Sequence, residues 1–125
     1  MPPEKLREFA IKKHLSGDIS SAEDGYRELI YRGVSDPDIM SNYALICQES
    51  GRTEKALKLY EDCISLFPNH SFAASNLGYL YLSIGKLEEA EMITRKAIDI
   101  EPNLANAYST LALILKEKGQ PFEAE

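Results

Sequence analysis

The sequence predicts an all-α protein, an α-solenoid of antiparallel helix hairpins with about 3.5 repeats. Three observations predict this class. Small residues recur at a fixed period, apolar residues follow helical spacing, and no segment has the alternation or β-branched density typical of a strand. The chain has 125 residues and the period is 34, a value typical of stacked supersecondary units. The period is set by Gly17, Gly51, Gly85 and Gly119 and by the alanines five residues after each, Ala22, Ala56, Ala90 and Ala124.

On this period the chain divides into three full repeats and one partial repeat, which we expect to form a single array over residues 1–125. A chain of this length suffices for one domain and is too short for two independent hydrophobic cores. No single hairpin can bury its own apolar face, so stability is expected to come from each repeat stacking on the next. The repeats are residues 3–36, 37–70, 71–104 and the partial repeat 105–125.

Each repeat is predicted to hold two helices of about 12 to 14 residues joined by a short turn. In the third repeat, Ala74, Leu77 and Tyr81 recur at three and four residues, which places them on one face of a first helix. Gly85 ends that helix, because glycine accepts the left-handed conformation that closes a helix C-terminus. A second apolar period follows and ends at Pro102.

Two sequence signals predict where helices begin. Asp36 before Pro37 fits an N-cap followed by proline in the first turn. Ser20 with Glu23 has the spacing of a capping box, which predicts the start of the second helix of the first repeat.

Small residues at fixed positions predict a close approach of the paired helices, because a small side chain lets two backbones come near each other. The residues on the first helices are Ala10, Ala44, Gly78 and Ala112, and they are predicted to face Ala22, Ala56, Ala90 and Ala124 on the second helices.

These residues resemble the tetratricopeptide repeat family, whose period is 34 residues. The resemblance covers nearly the whole chain and implies a right-handed, curved stack whose first helices line a concave groove. The third repeat matches best, with Leu77, Gly78, Tyr81, Ala90, Ala97 and Pro102, and the second carries Tyr43, Ala44, Ala56, Tyr60 and Pro68.

The resemblance also implies which residues face the groove, because six positions of each first helix point into it. The result is a mixed polar and apolar surface, which suits an extended peptide or a partner helix. The candidate peptide-binding residues are Ile11, Asn42, Leu45, Phe72, Asn76, Tyr79, Thr110 and Leu113.

Asn42 and Asn76 occupy the same position of successive repeats. An amide side chain carries both a donor and an acceptor, so repeated asparagines can hold a peptide backbone. Such a row of asparagines at one repeat position, a ladder, is similar to that of the arrays attached to O-linked N-acetylglucosamine transferases. The alternative is that both asparagines are merely solvated or cap a turn. Phe72 and Tyr79 likewise fit either an apolar anchor site or ordinary packing between repeats.

The chaperone-binding subtype of the family, which clamps two carboxylates, fits poorly. Of the five positions that form its clamp, only one or two match, and both cations of the third repeat are missing. Binding of an acidic Glu-Glu-Val-Asp tail is therefore not expected. The residues at the five positions are Arg7, Ile11, Asn42, Phe72 and Asn76.

Charge and hydropathy argue against other partners. The formal charge is -6, with 14 basic and 20 acidic residues, whereas affinity for nucleic acid or anionic membrane comes mainly from lysine and arginine. The longest aliphatic run, residues 111–115, is far shorter than the roughly 20 residues of a membrane span. The start lacks a secretory signal, so we expect a cytoplasmic protein.

No arrangement of residues points to catalysis, a metal or a cofactor. His14 and His70 lie far apart in the sequence, and no phosphate-cradling glycine loop is present. Cys47 and Cys63 occupy packing positions, which favours buried structural thiols over metal or redox roles. We therefore predict that this chain is not an enzyme and holds no metal or cofactor.

Three functions remain open at this point: a protein-interaction scaffold, the N-terminal recruitment segment of a larger multidomain enzyme such as a glycosyltransferase, and a self-associating structural element. The third follows from the C-terminal repeat, where the face with Tyr108, Leu111 and Leu115 is expected to be uncovered. Either the chain is a piece of a longer array, or a second copy covers that face in a homo-oligomer.

Overall fold

The computed structural model describes residues 1–119 and shows seven α-helices and no strand in that range. The helices are 13 or 14 residues long, so the predicted all-α helical repeat fold and the predicted helix lengths are confirmed. The helices are α1 Pro3–Leu15, α2 Ile19–Tyr31, α3 Pro37–Glu49, α4 Thr53–Leu66, α5 Ser71–Ser83, α6 Leu87–Ile100 and α7 Ala105–Glu117.

The structure divides into two compact units, unit 1 from Met1 to Leu59 and unit 2 from Tyr60 onward. Unit 1 holds α1 to α3 and the start of α4, and unit 2 holds the end of α4 and α5 to α7. The prediction of a single array stays a prediction.

The glycines of the 34-residue period end first helices, as predicted. Gly17, Gly51, Gly85 and Gly119 all have φ between +76° and +88°, a region in which other residues are strained. Gly33, which the sequence analysis missed, has φ +82° and follows the end of α2. Gly33 ends α2 near the place where the second and third repeats have Pro68 and Pro102.

The two predicted helix starts have different outcomes. The Asp36 side chain accepts hydrogen bonds from the backbone N–H groups of Asp38 and Ile39, so this N-cap is confirmed. The predicted cap at Ser20 is wrong, since α2 begins at Ile19 and Asp18 accepts from the backbone N–H of Ser21. Asp18 follows the glycine stop directly, and aspartate is among the best capping residues.

In unit 1, α1 packs on α2 and α2 packs on α3. Ala10 and Ala22 are fully buried, and so are Ala44 and Ala56. A Cβ added to Gly25 would lie 2.7 Å from the Cβ of Ala10. The close approach of α1 and α2 therefore uses a glycine that the periodic pattern did not indicate.

In unit 2, α5 packs on α6, and α7 packs on both. Gly78 provides the close approach of α5 and α6, and Ala90, which was predicted to face it, is fully buried. The nearest atoms to a Cβ at Gly78 belong to Thr94 and Ile93, one turn further along α6. The predicted pairing of Ala112 with Ala124 lies outside the described residues.

The prediction of an uncovered C-terminal face is wrong for two of its three residues. Leu111 and Leu115 are buried, because α7 packs against α5 and α6. Tyr108 stays partly exposed. The face is thus smaller than the sequence suggested, and homo-oligomerisation stays a prediction.

Both cysteines are buried thiols, as predicted. Burial raises the pKa of the Cys47 thiol, which disfavours the reactive thiolate. In residues 1–119, no three side chains of the metal-ligating types cluster as an ion site would require. The same residues include no helix whose length and apolar character would let it cross a membrane.

An ion pair in unit 1 links α2 to the turn before α4. Both carboxylate oxygens of Glu23 accept hydrogen bonds from Arg52, each at 2.7 Å, and one also accepts from Arg27. The Glu23 side chain is only 13% exposed. The hydrogen bond from Arg52 is the main reason that the pKa of Glu23 is lowered.

Replacing Glu23 with glutamine is expected to lower the melting temperature by a few degrees at pH 7. Folding lowers the pKa of the Glu23 carboxyl group from its unfolded value, near 4.5. The carboxylate therefore stabilises the folded protein at pH values above 4.5. This contribution is lost as the pH falls through the folded pKa. The difference between the variant and the wild type should therefore shrink below about pH 4.5. Circular dichroism melts from pH 7 to pH 3 measure it.

Glu28→Gln is the matched control, since Glu28 pairs with Arg32 one turn away on the exposed face of α2. Its effect should be smaller, because exposed ion pairs contribute little. A Glu23→Gln difference that stays constant from pH 7 to pH 3 would contradict the assignment to the ion pair.

Candidate peptide-binding site

Unit 2 contains a cavity of about 370 Å³, which we name the unit-2 cavity. It lies where the first turn of α5, the turn between α6 and α7, and the first turn of α7 meet. Its volume is in the range of small ligand pockets. Its lining residues are Ser71, Phe72, Ser75, Asn76, Glu101, Asn103, Leu104, Ala105 and Asn106.

Phe72 provides an apolar surface in the unit-2 cavity. Its side chain is 42% exposed, and its ring meets the edge of the His70 ring at a centroid distance of 6.3 Å. His70 is in turn fixed as the N-cap of α5, where its Nδ1 accepts from the backbone N–H of Ala73. The aromatic ring is therefore held in place and still accessible, as an anchor site requires.

The Asn76 side chain carries a donor without an acceptor. Its Nδ2 atom is buried and has no hydrogen-bond partner in the protein. Leaving a buried donor unpaired costs about 1–3 kcal/mol, so such a group favours any acceptor that reaches it. Asn76 lines the unit-2 cavity, so a ligand in the cavity would lie beside this amide.

Asn42 occupies the equivalent position in unit 1, and its amide is already engaged. Its Nδ2 donates to the hydroxyl of Tyr26 at 3.5 Å, the outer limit for such a bond. The Tyr26 hydroxyl also lies 2.8 Å from Nδ1 of His14. The two asparagines of the predicted ladder thus differ in their surroundings, and the ladder stays a prediction.

The other candidate residues differ in exposure. Tyr79 and Leu113 are 50% and 49% exposed, and Ile11 and Leu45 are half-buried. Thr110 is 6% exposed and has little surface to offer a ligand. Their roles in binding stay predictions.

The sequence analysis missed five lining residues, which lie outside the six helix positions that the family resemblance assigns to the groove. Two are the first residues of α5 and α7, Ser71 and Ala105, and three lie in the turn between α6 and α7: Glu101, Asn103 and Leu104. The Pro-Asn pair that ends the second and third repeats marks this turn and is the signal that could have found them.

Comparison with known families agrees with this architecture. A family model described as tetratricopeptide repeat matches residues 36–103, and a second model with the same description matches residues 94–125. The first match alone spans more than half of the chain. The chain belongs to the tetratricopeptide repeat family.

Curated relatives are much longer than this chain. It is 33% identical over 101 residues to cellulose synthase operon protein C of Pseudomonas fluorescens, covering 74% of this chain and 8% of that protein. It is 32% identical over 102 residues to the human protein O-mannosyl-transferase TMTC1, covering 82% of this chain and 12% of that protein. The chain therefore spans about a tenth of the length of these relatives.

Solved structures share the fold. The first tetratricopeptide repeat domain of Spaghetti (RPAP3), bound to the HSP90 peptide SRMEEVD, has a TM-score of 0.86 at 22% identity, over 94% of both chains. An O-GlcNAc transferase of Thermobaculum terrenum has a TM-score of 0.81 at 21% identity, over 90% of this chain and 22% of that one. At these identities the likeness concerns the fold alone.

Proposed function

We propose that this chain is a non-enzymatic protein-interaction scaffold, and that the unit-2 cavity binds an extended peptide or a partner helix. The observation that carries the proposal is the unpaired Nδ2 of Asn76 beside the exposed ring of Phe72. The fold supports a scaffold, and a structurally similar domain is bound to a peptide.

The two side chains would act on different parts of a ligand. A peptide carbonyl supplies the acceptor that Asn76 lacks, and every residue of an extended peptide offers one. An apolar side chain of the ligand packs on Phe72, and burial of such an anchor supplies most of the binding energy in small interfaces. Ser71 and Ser75 line the unit-2 cavity with hydroxyl groups and add further polar contacts.

Replacing Asn76 with alanine is expected to weaken peptide binding about five- to tenfold, the effect of losing one hydrogen bond in a desolvated site. The melting temperature should not fall, because Nδ2 has no partner within the protein to lose. Isothermal titration with peptides selected on the wild-type chain measures the affinity.

Asn42→Ala provides the matched comparison, since Asn42 holds the same position one repeat earlier. In contrast to Asn76→Ala, it should lower the melting temperature, because it removes the contact with Tyr26. Equal affinity of the wild type and Asn76→Ala would defeat the assignment of the unit-2 cavity as the binding site.

A second candidate function is a recruitment segment within a larger enzyme, and the length ratio to the curated relatives favours it. One of these relatives is named as a mannosyl-transferase, and the chain matches about a tenth of its length. Reading the gene on both sides of this segment tests the candidate. A catalytic domain in the same open reading frame would support this candidate function. An open reading frame that encodes only residues 1–125 would contradict it.

A further inference from the structure

The charges around the unit-2 cavity have one sign. Glu101 is the single charged residue among those that line it, and its Oε1 accepts a hydrogen bond from the Ser71 hydroxyl at 3.3 Å. No lysine or arginine lines the cavity.

The hydrogen-bond groups of the unit-2 cavity favour a carbonyl oxygen. The Nδ2 of Asn76 lacks an acceptor, and Leu104, the N-cap of α7, makes no side-chain cap hydrogen bond. Leu104 therefore supplies no side-chain acceptor at the start of α7, whereas its backbone carbonyl accepts from the N–H of Ala107.

From these features we propose that the unit-2 cavity binds an internal polypeptide segment with a lysine or arginine next to its apolar anchor. The backbone carbonyls of the segment satisfy the donors, the anchor packs on Phe72, and the basic side chain pairs with Glu101. A free C-terminal carboxylate or an acidic tail satisfies the same donors but is repelled by Glu101. The inference rests on the proposed function and adds the chemistry of the partner.

Parallel selection of peptides on the wild type and on Glu101→Gln tests this inference. Random dodecapeptides are displayed on phage between fixed Gly-Ser flanks, so that each is an internal segment. Sequences enriched on the wild type should contain an excess of lysine and arginine over the starting library, and this excess should vanish on Glu101→Gln. Glutamine keeps the acceptor for Ser71, so the fold is preserved.

Glu89→Gln is the matched control, because it makes the same change of charge on the first turn of α6, and Glu89 does not line the unit-2 cavity. The basic excess should persist on this variant. The strongest wild-type binder is then synthesised with blocked ends. Replacing its basic residue with glutamine should cost about three- to fivefold in affinity on the wild type, and less than about twofold on Glu101→Gln.

The outcomes separate the two proposals. Enriched peptides that are acidic or uncharged, or a basic excess that survives in Glu101→Gln, would overturn this inference. If these peptides still lose affinity on Phe72→Ala, the proposed function stands. If selection yields no peptide that distinguishes the wild type from Phe72→Ala and Asn76→Ala, both proposals fall.

Discussion

Replacing Gly78 with alanine is expected to lower the free energy of unfolding by about 3 kcal/mol. A Cβ at this position would clash with Oγ1 of Thr94 and would lie 3.3 Å from the Cβ of Thr94. Thr94 is fully buried, and rotation about its χ1 moves Oγ1 but leaves the Thr94 Cβ against the added carbon. The added methyl group must therefore separate α5 from α6, and the melting temperature should fall by about 10 °C.

Urea unfolding followed by circular dichroism measures this loss, and a second substitution identifies its cause. Thr94→Ala removes the atom that clashes, so the double variant should recover most of the loss caused by Gly78→Ala. Thr94→Val keeps a group of similar size in the same place and should not rescue it. A Gly78→Ala variant as stable as the wild type would show that α5 and α6 are not this close.

The fold was predictable because its determinants are local and repeated. The helix stops at Gly17, Gly51 and Gly85 need a backbone conformation that glycine adopts without strain, and their spacing alone gives the length of the hairpin. The partner of Gly78 was not predictable in the same way. The pattern assumes that the same position faces it in each repeat, whereas the nearest atoms belong to Thr94.

The candidate site was predicted only in part. The helix positions identified Phe72 and Asn76, which do line the unit-2 cavity, because the 34-residue period sets the register of the first helix of each repeat. Glu101 lies in a turn, where no helical period applies. Whether an asparagine amide has a partner also depends on a distant residue, as Asn42 with Tyr26 shows.

Replacing Tyr26 with alanine is expected to lower the free energy of unfolding by about 4 kcal/mol, the usual cost of removing a buried aromatic side chain. Tyr26 is fully buried on α2, the helix that packs against both α1 and α3. Its loss would leave a cavity among the three helices of unit 1. Chemical unfolding monitored by circular dichroism measures the effect.

Tyr26→Phe separates the hydroxyl from the ring and should cost about 1–2 kcal/mol. Burial raises the pKa of Tyr26, so the hydroxyl keeps its proton at neutral pH. The Nδ2 group of Asn42 donates to the hydroxyl oxygen, and the hydroxyl also shares a hydrogen bond with Nδ1 of His14, 2.8 Å away. Phenylalanine leaves both partners unsatisfied.

A double-mutant cycle with His14→Ala decides whether this hydrogen bond accounts for the loss. If it does, Tyr26→Phe should cost clearly less in the His14→Ala background than in the wild type, with a coupling free energy of about 1 kcal/mol. Additive losses would instead mean that the hydroxyl acts through Asn42 alone. In that case Asn42→Ala should show the coupling, because the side-chain hydrogen bonds of the Tyr26 hydroxyl go to these two residues, one on α1 and one on α3.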